Sequence, residues 1–188
     1  MDHNRRSVHL PRTETAPVIR TEFNDAAGWA LLMQAMETPI TYTEDSQKVS
    51  DYEQAISHIT LIDQAEYQGI LPDAVLAAAP DTGHDLPYDH LYLVDAETYA
   101  SDDLRLLGID ISVYGFDRFA PFRVPALQVA NIEVNDQLGN LSFVEFSDIP
   151  WSEIGIHAAG PGTEIFEKFR QINRAKGAPT DRAAPWQS

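Results

Sequence analysis

Residues 17–36 read PVIRTEFNDAAGWALLMQAM, and their pattern decides which fold to expect. The first seven side chains alternate between apolar and polar approximately, and well enough to predict a strand over 17–23. Asn24 and Asp25 follow, and both are helix-capping residues because their side chains accept hydrogen bonds from the free N–H groups of a first helical turn. Apolar side chains then recur at steps of three and four, as on one face of a helix, at Trp29, Leu32, Met33 and Met36. The stretch therefore predicts a strand, a cap and an amphipathic helix in succession.

Further strands and short helices follow along the chain. Apolar or alternating runs predict strands at 40–43, 56–62, 90–94, 104–113 and 119–124, the last two joined as a hairpin by the loop 114–118. Short helices are predicted at 71–79 and near 140–147. Because strands and helices alternate first and a hairpin comes later, we expect an α+β (α/β-like) fold. It is a single domain, with a mixed sheet of about five strands flanked by helices and with an appended C-terminal helix.

Three segments of the chain differ in composition. Residues 1–16 show no periodicity and are predicted to be a flexible leader. Residues 17–149 form the acidic α/β domain. Residues 150–188 form a C-terminal extension with one amphipathic helix at 163–174, whose apolar face consists of Ile165, Phe166, Phe169 and Ile172. So short a helix is marginal in water by itself, and we expect its apolar face to pack on its own domain or to form a dimer contact.

The charge of the chain is strongly negative and unevenly distributed. The net charge is −16 over 188 residues, and residues 21–150 carry 23 acidic side chains against four basic ones, a balance of −19. A field of this sign repels nucleic-acid phosphates and anionic membranes and attracts basic proteins. We therefore expect a protein partner with a basic surface, and neither a nucleic acid nor a membrane. The acidic side chains that we take as a binding surface are Asp81, Asp85, Asp89, Asp102 and Asp103.

The absence of certain residue types and motifs limits the kinds of reaction and cofactor that the chain could use. The chain has no cysteine, which excludes disulfides, thiolate metal sites and cysteine nucleophiles. It has no phosphate-binding loop, dinucleotide-binding glycine motif or serine nucleophile elbow. We therefore expect no cofactor, and a non-enzymatic function is favoured, with an enzyme as the alternative. No apolar region of a secretion signal and no membrane-length apolar run occurs, so the expected location is cytoplasmic.

Four aspartates near the ends of predicted strands are candidate metal ligands or acid–base groups: Asp25, Asp63, Asp95 and Asp110. Strand ends in an open α/β sheet face a ligand crevice, and clustered carboxylates there would hold Mg²⁺. The alternative, which we favour, is that each aspartate caps a helix or a turn. A weaker zinc candidate has no tight spacing motif and consists of His58, His84, Asp85, Asp89 and His90. An ordinary exposed loop is the favoured interpretation of that segment.

Arginine is scarce in the acidic domain, which makes its positions informative. Arg20 and Arg123 lie within predicted strands, and among so many carboxylates each is expected to form ion pairs that order them. The alternative is an anion-binding pair of arginines. The other residues expected to have a structural role are aromatic and belong to the predicted core: Trp29, Phe143 and Phe146.

Several short motifs recur in one order along the chain. They are Val18–Asp25 (V-x-R-T-[DE]-F-x-D), Trp29 in the following helix, Tyr67-x-Gly69-Ile70, Leu93-Val94-Asp95, Leu106-Leu107-x-x-Asp110, Phe122–Pro125, and Val134 and Leu138 before Asn140–Phe146 (N-x-x-F-x-E-F). In this order, over residues 17–147, the chain resembles a family of bacterial domains of unknown function. It departs from the family pattern in a shorter stretch before Asn140 and a longer loop at 113–119. The resemblance implies the fold and its boundaries and assigns no catalytic residue.

Three functions of different classes are open on these observations. The leading one is a non-catalytic acidic interaction protein that binds a basic partner. It would be of the immunity-protein, inhibitor or DNA-mimic type, in which dense carboxylates imitate phosphate spacing and speed association. The second is a metal-dependent enzyme that uses the strand-end aspartates. The third is a structural or accessory subunit that docks through the helix at 163–174.

Overall fold

The computed structural model describes residues 8–42, 54–55, 57–79, 86–112, 120–151, 156–158 and 171, with the backbone alone at 41–42, 54–55 and 156–158. The strands are β1 (Ala16–Arg20), β2 (Ile40–Tyr42), β3 (Gln54–Ala55), β4 (Ile59–Ile62), β5 (His90–Val94), β6 (Leu106–Asp110), β7 (Phe122–Val124) and β8 (Ile156–Ala158). The α-helices are α1 (Ala26–Glu37), α2 (Pro72–Ala78), α3 (Ala96–Ala100) and α4 (Ala126–Leu138). Short 3-10 helices occupy Ala65–Tyr67 and Phe143–Asp148.

The central sheet has five strands in the order β4-β1-β5-β6-β7. β4, β1 and β5 run parallel to one another, whereas β6 runs antiparallel to β5, and β7 antiparallel to β6. β1, β5 and β6 are buried along their whole length, which explains why their sequences are dense in apolar residues. The mixed five-stranded sheet and its flanking helices confirm the predicted α+β single-domain fold.

Apolar side chains form two layers, one on each face of this sheet, because successive strand residues point to opposite sides. The first layer joins the sheet to α1 and α4, and among its members are Val18, Trp29, Leu32, Tyr92, Leu106, Ile132, Phe143 and Phe146. The second layer joins the sheet to α2 and to the segment before β5, and among its members are Ile19, Tyr67, Val75, Tyr88, Leu91, Leu93 and Ile109. The three aromatic residues expected in the core therefore lie in the first layer.

The predicted succession of strand, cap and helix is found at the start of the domain. β1 ends at Arg20, and α1 begins after Asp25, whose side chain accepts a hydrogen bond of 2.9 Å from the N–H of Gly28. Gly28 also has a packing role, because a Cβ at this position would lie 2.7 Å from the ring of Tyr99. The close approach of α1 to α3 therefore depends on a residue without a side chain.

The longest described helix, α4, differs from the sequence-based expectation. The helix predicted near 140–147 is present as a 3-10 helix at Phe143–Asp148. The prediction omits the α-helix before it, which occupies Ala126–Leu138 and ends at Gly139 in the left-handed conformation (φ 66°). α4 buries polar side chains, Gln128, Asn131 and Glu133, which interrupt the apolar periodicity that marks a helix. The sequence-based prediction also omits α3, since five residues are too few to show a period.

A second sheet is antiparallel and has the strand order β3-β2-β8. It pairs Ile40 with Ala158, so that residues 156–158 of the predicted extension lie in a sheet with β2. Of the helix predicted at 163–174, Gln171 alone is described, and it is helical and exposed. The rest of that segment and the loop 114–118 lie outside the described residues. None of the helices in the described part of the chain has the length and apolar character needed to cross a membrane.

Part of the predicted flexible leader contacts the domain. Leu10 packs against the second apolar layer, and the carbonyl oxygens of His9 and Pro11 accept hydrogen bonds from tyrosine hydroxyls of the domain. Just before β1, Oγ1 of Thr15 lies 2.8 Å from Oγ1 of Thr60. The described half of the leader therefore follows the domain surface into β1.

Candidate functional site

Three parallel strands end at one edge of the central sheet, and the acidic side chains that follow them form one surface there. The segments that follow β1, β4 and β5 lie at this edge, as does the turn into β6, because β6 runs back antiparallel to β5. We call this surface the carboxyl edge. Among the described residues we assign eight carboxylates to it, namely Glu22, Asp25, Asp63, Glu66, Asp95, Glu97, Asp102 and Asp103. Three described cationic side chains accompany them, namely Arg20, Arg105 and Arg123.

Arg123 links two carboxylates of the carboxyl edge. Its guanidinium donates two hydrogen bonds to Asp95, of 2.9 and 2.8 Å, and one of 2.8 Å to Glu97. Burial by itself would raise the pKa of Asp95, but hydrogen bonds from Arg123 and Thr98 outweigh burial and lower that pKa below its ordinary value. Asp95 is therefore firmly ionised at neutral pH.

Arg20 is the most buried cation of the carboxyl edge. Its side chain is 8% exposed and donates a hydrogen bond of 3.2 Å to Asp63. The guanidinium carbon lies 4.6 Å from the ring centre of Phe23 and 5.1 Å from that of Trp29, distances at which a cation is attracted to an aromatic face. Arg20 thus joins the end of β4 to the start of α1.

The third arginine of the carboxyl edge is also paired with a carboxylate. Arg105 donates a hydrogen bond of 2.8 Å to Asp103. All three cations of the carboxyl edge are therefore engaged by carboxylates of the chain itself, as expected from the scarcity of arginine. Glu66 and Asp102, by contrast, are exposed and form no ion pair with a described residue. The edge keeps a surplus of negative charge after its internal pairs are counted.

The four strand-end aspartates considered as metal ligands do not come together. Asp25 and Asp95 cap α1 and α3, and Asp63 pairs with Arg20. Asp110 lies at the opposite edge of the sheet because β6 is antiparallel, and there it is buried and accepts a hydrogen bond of 2.8 Å from a backbone N–H. Within the described ranges, no three histidine, aspartate or glutamate side chains are grouped so that they could hold a metal ion.

The other predicted site residues divide between the two edges. Asp102 and Asp103 belong to the carboxyl edge, whereas Asp89 precedes β5 and lies at the opposite edge, which we call the amino edge. Along a five-residue strand such as β5 the two edges are about 15 Å apart. Of the histidines considered as zinc ligands, His90 is buried and His58 is exposed. The remaining candidates lie outside the described residues, namely Asp81, His84 and Asp85.

The amino edge holds a buried polar cluster that is not evident from the sequence. Tyr92 donates a hydrogen bond of 2.7 Å to Oε1 of Glu133, and Nε2 of His90 lies 2.7 Å from the same oxygen. All three side chains are buried. The His90 ring stacks on Phe143 with 4.3 Å between ring centres, and its Nδ1 has no hydrogen-bond partner among the residues that the structure describes. The cluster thus joins β5 to α4 through a shared carboxylate oxygen.

Burial shifts the pKa of Tyr92 and of the neighbouring Asp136. Burial, followed by the neighbouring Glu133, raises the pKa of Tyr92 well above its ordinary value, so the hydroxyl stays protonated. The pKa of Asp136 is also raised, by burial and, against the effect of His90, by Glu133. The signal for the cluster in the sequence is the position of Glu133, four residues after Val129 on the same helical face. That signal has meaning only once α4 is recognised.

The chain is an α+β domain with one strongly acidic sheet edge, and a family comparison places it. A family model described as a domain of unknown function, DUF6924, matches residues 15–157. The chain belongs to this family, which confirms the resemblance to domains of unknown function. Comparisons with curated proteins and with solved structures give no match. The matched range includes the carboxyl edge, the buried cluster and the first two residues of β8, and it begins just before β1.

Proposed function

We propose that this chain is a non-catalytic interaction protein whose carboxyl edge binds a basic protein partner. The observation that supports the proposal is the charge balance of that edge, eight carboxylates against three guanidiniums that are already engaged by the chain's own carboxylates. A surplus of negative charge along one edge attracts a cationic surface and speeds the encounter with it. Lysine and arginine side chains of the partner would then bind the exposed carboxylates.

Part of the carboxyl edge is held in place, which favours a specific partner over general attraction. Arg123 orients Asp95 and Glu97, and side chains that are already ordered lose little rotational entropy on binding. Asp102, in the segment after β5, and Glu66, in the segment after β4, are exposed at the same edge. In its most specific form the proposal is an immunity-type, inhibitor or DNA-mimic protein. We also propose that the protein is bacterial and cytoplasmic, as expected from the sequence.

A capture experiment with two matched variants tests this function. The full chain is immobilised and exposed to a lysate of its source cells at about 50 mM and about 500 mM salt, because salt screens charge-driven binding. Glu97→Gln with Asp102→Asn removes two charges from the carboxyl edge. The control, Glu37→Gln with Asp148→Asn, removes two exposed charges outside it. We expect basic proteins to be captured at low salt only, by the wild type and the control but far less by the edge variant.

The captured protein is then identified, and its association rate with the purified chain is measured. The rate should fall by roughly tenfold or more between the two salt concentrations, and the edge variant should associate more slowly than the control at low salt. Equal rates for the two variants, or capture that persists unchanged at high salt, would contradict the proposal.

A further inference from the structure

Residues 8–15, which we call the strap, cross the second apolar layer and are bound through their backbone. Tyr67 donates its hydroxyl to the carbonyl oxygen of His9 at 3.1 Å, and Tyr88 donates to that of Pro11 at 2.6 Å. Leu10, between these two residues, packs against the second apolar layer. Donors to alternate carbonyls with an apolar contact between them recognise an extended segment mainly through its main chain.

The two hydroxyls are permanent donors. Tyr67 and Tyr88 are 5% and 7% exposed. Burial, and then the neighbouring Tyr67, raises the pKa of Tyr88 to about 12, and burial followed by Glu66 raises the pKa of Tyr67. Both hydroxyls therefore stay protonated at neutral pH. Because a buried donor without an acceptor is unfavourable, this surface is suited to an occupant that presents carbonyl groups.

All of the strap except its last residue lies outside the family match. The family match begins at residue 15, so Tyr67 and Tyr88 belong to the domain, whereas the residues they bind, His9 and Pro11, do not. The strap also forms no backbone–backbone hydrogen bond with the part of the chain described in the structure. β1, in contrast, is paired along both sides. The strap can therefore detach while the sheet stays intact.

We infer that Tyr67, Tyr88 and the apolar surface between them form a peptide-binding groove. In this chain the strap occupies the groove as an internal substitute for an extended, basic segment of the partner. The groove is a property of the domain, and its present occupant comes from outside the domain. The inference rests on the proposed function for the basic character of the partner.

The chemistry of the expected ligand follows from the strap and from the charges around the groove. The strap presents an aliphatic side chain, Leu10, between the two bound carbonyls and a cation, Arg12, two residues further on. Exposed carboxylates stand next to both tyrosines in the chain, Glu66 before Tyr67 and Asp89 after Tyr88. These carboxylates favour a ligand with arginine or lysine beside its aliphatic residue.

A labelled peptide with the sequence of residues 8–15, VHLPRTET, tests the groove in the full chain. The wild type should bind it weakly, because the tethered strap competes at a high effective concentration. Leu10→Gln weakens the strap alone and should raise the affinity for the peptide by about tenfold or more. Adding Tyr67→Phe and Tyr88→Phe to this variant removes both donors and should abolish the gain. A peptide with Leu10→Gln should not bind to any of these proteins.

Hydrogen exchange over residues 8–15 verifies that the Leu10→Gln substitution releases the strap. If the strap amides stay protected in this variant, the Leu10→Asp variant is used in its place. A released strap without a gain in peptide affinity would overturn the groove. A peptide with Arg12→Glu should bind about tenfold more weakly, and equal affinity would overturn the basic character of the ligand. The titration does not depend on Glu97 or Asp102, so peptide binding together with a failed capture experiment would support the groove and reject the carboxyl edge as the binding surface.

Discussion

The two edges of the central sheet hold their carboxylates in opposite ways. At the carboxyl edge Asp95 is paired with Arg123, and its pKa is lowered. At the amino edge Glu133 is buried and accepts from the hydroxyl of Tyr92, and one helical turn further on the pKa of Asp136 is raised. One residue class thus provides exposed charge at one edge and internal hydrogen bonding at the other.

The difference indicates which edge matters for folding and which for binding. A buried carboxylate loses its water, so the donors around it have to replace that water, whereas an exposed carboxylate keeps its hydration. Removing a hydrogen-bond partner of Glu133 therefore leaves a buried polar group without a hydrogen bond, which destabilises the folded state. When a charge is removed from the carboxyl edge, water can hydrate the groups that it contacted, so the loss of stability is smaller. We expect substitutions at the amino edge to change stability most, and substitutions at the carboxyl edge to change binding most.

The largest effect on stability is expected for Glu133→Ala. The change leaves the Tyr92 hydroxyl and the His90 ring buried without their shared acceptor, which should lower the free energy of unfolding by about 3–5 kcal/mol. Glu133→Gln keeps an acceptor oxygen and should cost roughly half as much, which makes it the matched control. Urea denaturation followed by circular dichroism measures both. A loss below about 1 kcal/mol for Glu133→Ala would show that the two edges do not differ in the way described.

A smaller effect is expected at the carboxyl edge for Arg123→Met. Three hydrogen bonds to carboxylates and a longer one, of 3.3 Å, to the carbonyl oxygen of Arg105 are lost, but both carboxylates are partly exposed, so we expect a cost of about 1–2 kcal/mol. Arg105→Met breaks a pair that is about one-third exposed on each side and should cost at most about 1 kcal/mol. The same denaturation experiment compares them. The contrast between the edges fails if Arg123→Met destabilises the chain as much as Glu133→Ala.

The smallest effect is a pH dependence of opposite sign at the two edges. The lowered pKa of Asp95 means that its ionised form stabilises the folded state above the ordinary pKa of about 3.9, and this contribution is lost as pH falls through the lowered pKa. The raised pKa of Asp136 means that its ionised form destabilises the folded state. This destabilisation develops as pH rises from the ordinary pKa of an aspartate through the raised pKa.

Two asparagine variants test these signs by thermal denaturation between about pH 3 and pH 7. Asp95→Asn still caps α3, since asparagine is an equally good capping residue. It should lower the melting temperature at pH 7, with a difference that shrinks toward pH 3. Asp136→Asn should raise the melting temperature at pH 7 and have no effect near pH 3. Shifts of the same sign in both variants would contradict the assignment of opposite environments.

Local patterns in the sequence were sufficient for much of the fold. β5 has the bounds predicted from its dense apolar run, 90–94. The pairing of Arg20 and Arg123 with carboxylates was also predictable, because in so acidic a domain almost any neighbour of an arginine carries a negative charge. These features depend on side-chain periodicity or on composition, and both can be seen without knowledge of the tertiary structure.

The candidate sites were less predictable. The four aspartates look equivalent in the sequence because each stands near a strand end, yet the antiparallel direction of β6 separates Asp110 from the other three. α4 was missed because its buried face carries Gln128, Asn131 and Glu133. Glu133 is compensated by His90 and Tyr92 of β5, and Asn131 donates a hydrogen bond to Gln128 within the helix. The contact of the strap with the domain was missed because an extended segment bound through its carbonyls has no side-chain period.

By itself, the sequence determined several local elements of this protein, the acidic character of its centre and the presence of a helix cap at Asn24 or Asp25. Each of these depends on neighbours within one helical turn or on residue counts. Only the tertiary structure decided that the ends of β4, β1 and β5 share one edge and that Glu133 meets His90 and Tyr92. The physical reason is that strand order, strand direction and helix docking bring together residues tens of positions apart. An apolar run predicts that a strand forms, but it does not specify which strand lies beside it or in which direction that neighbour runs.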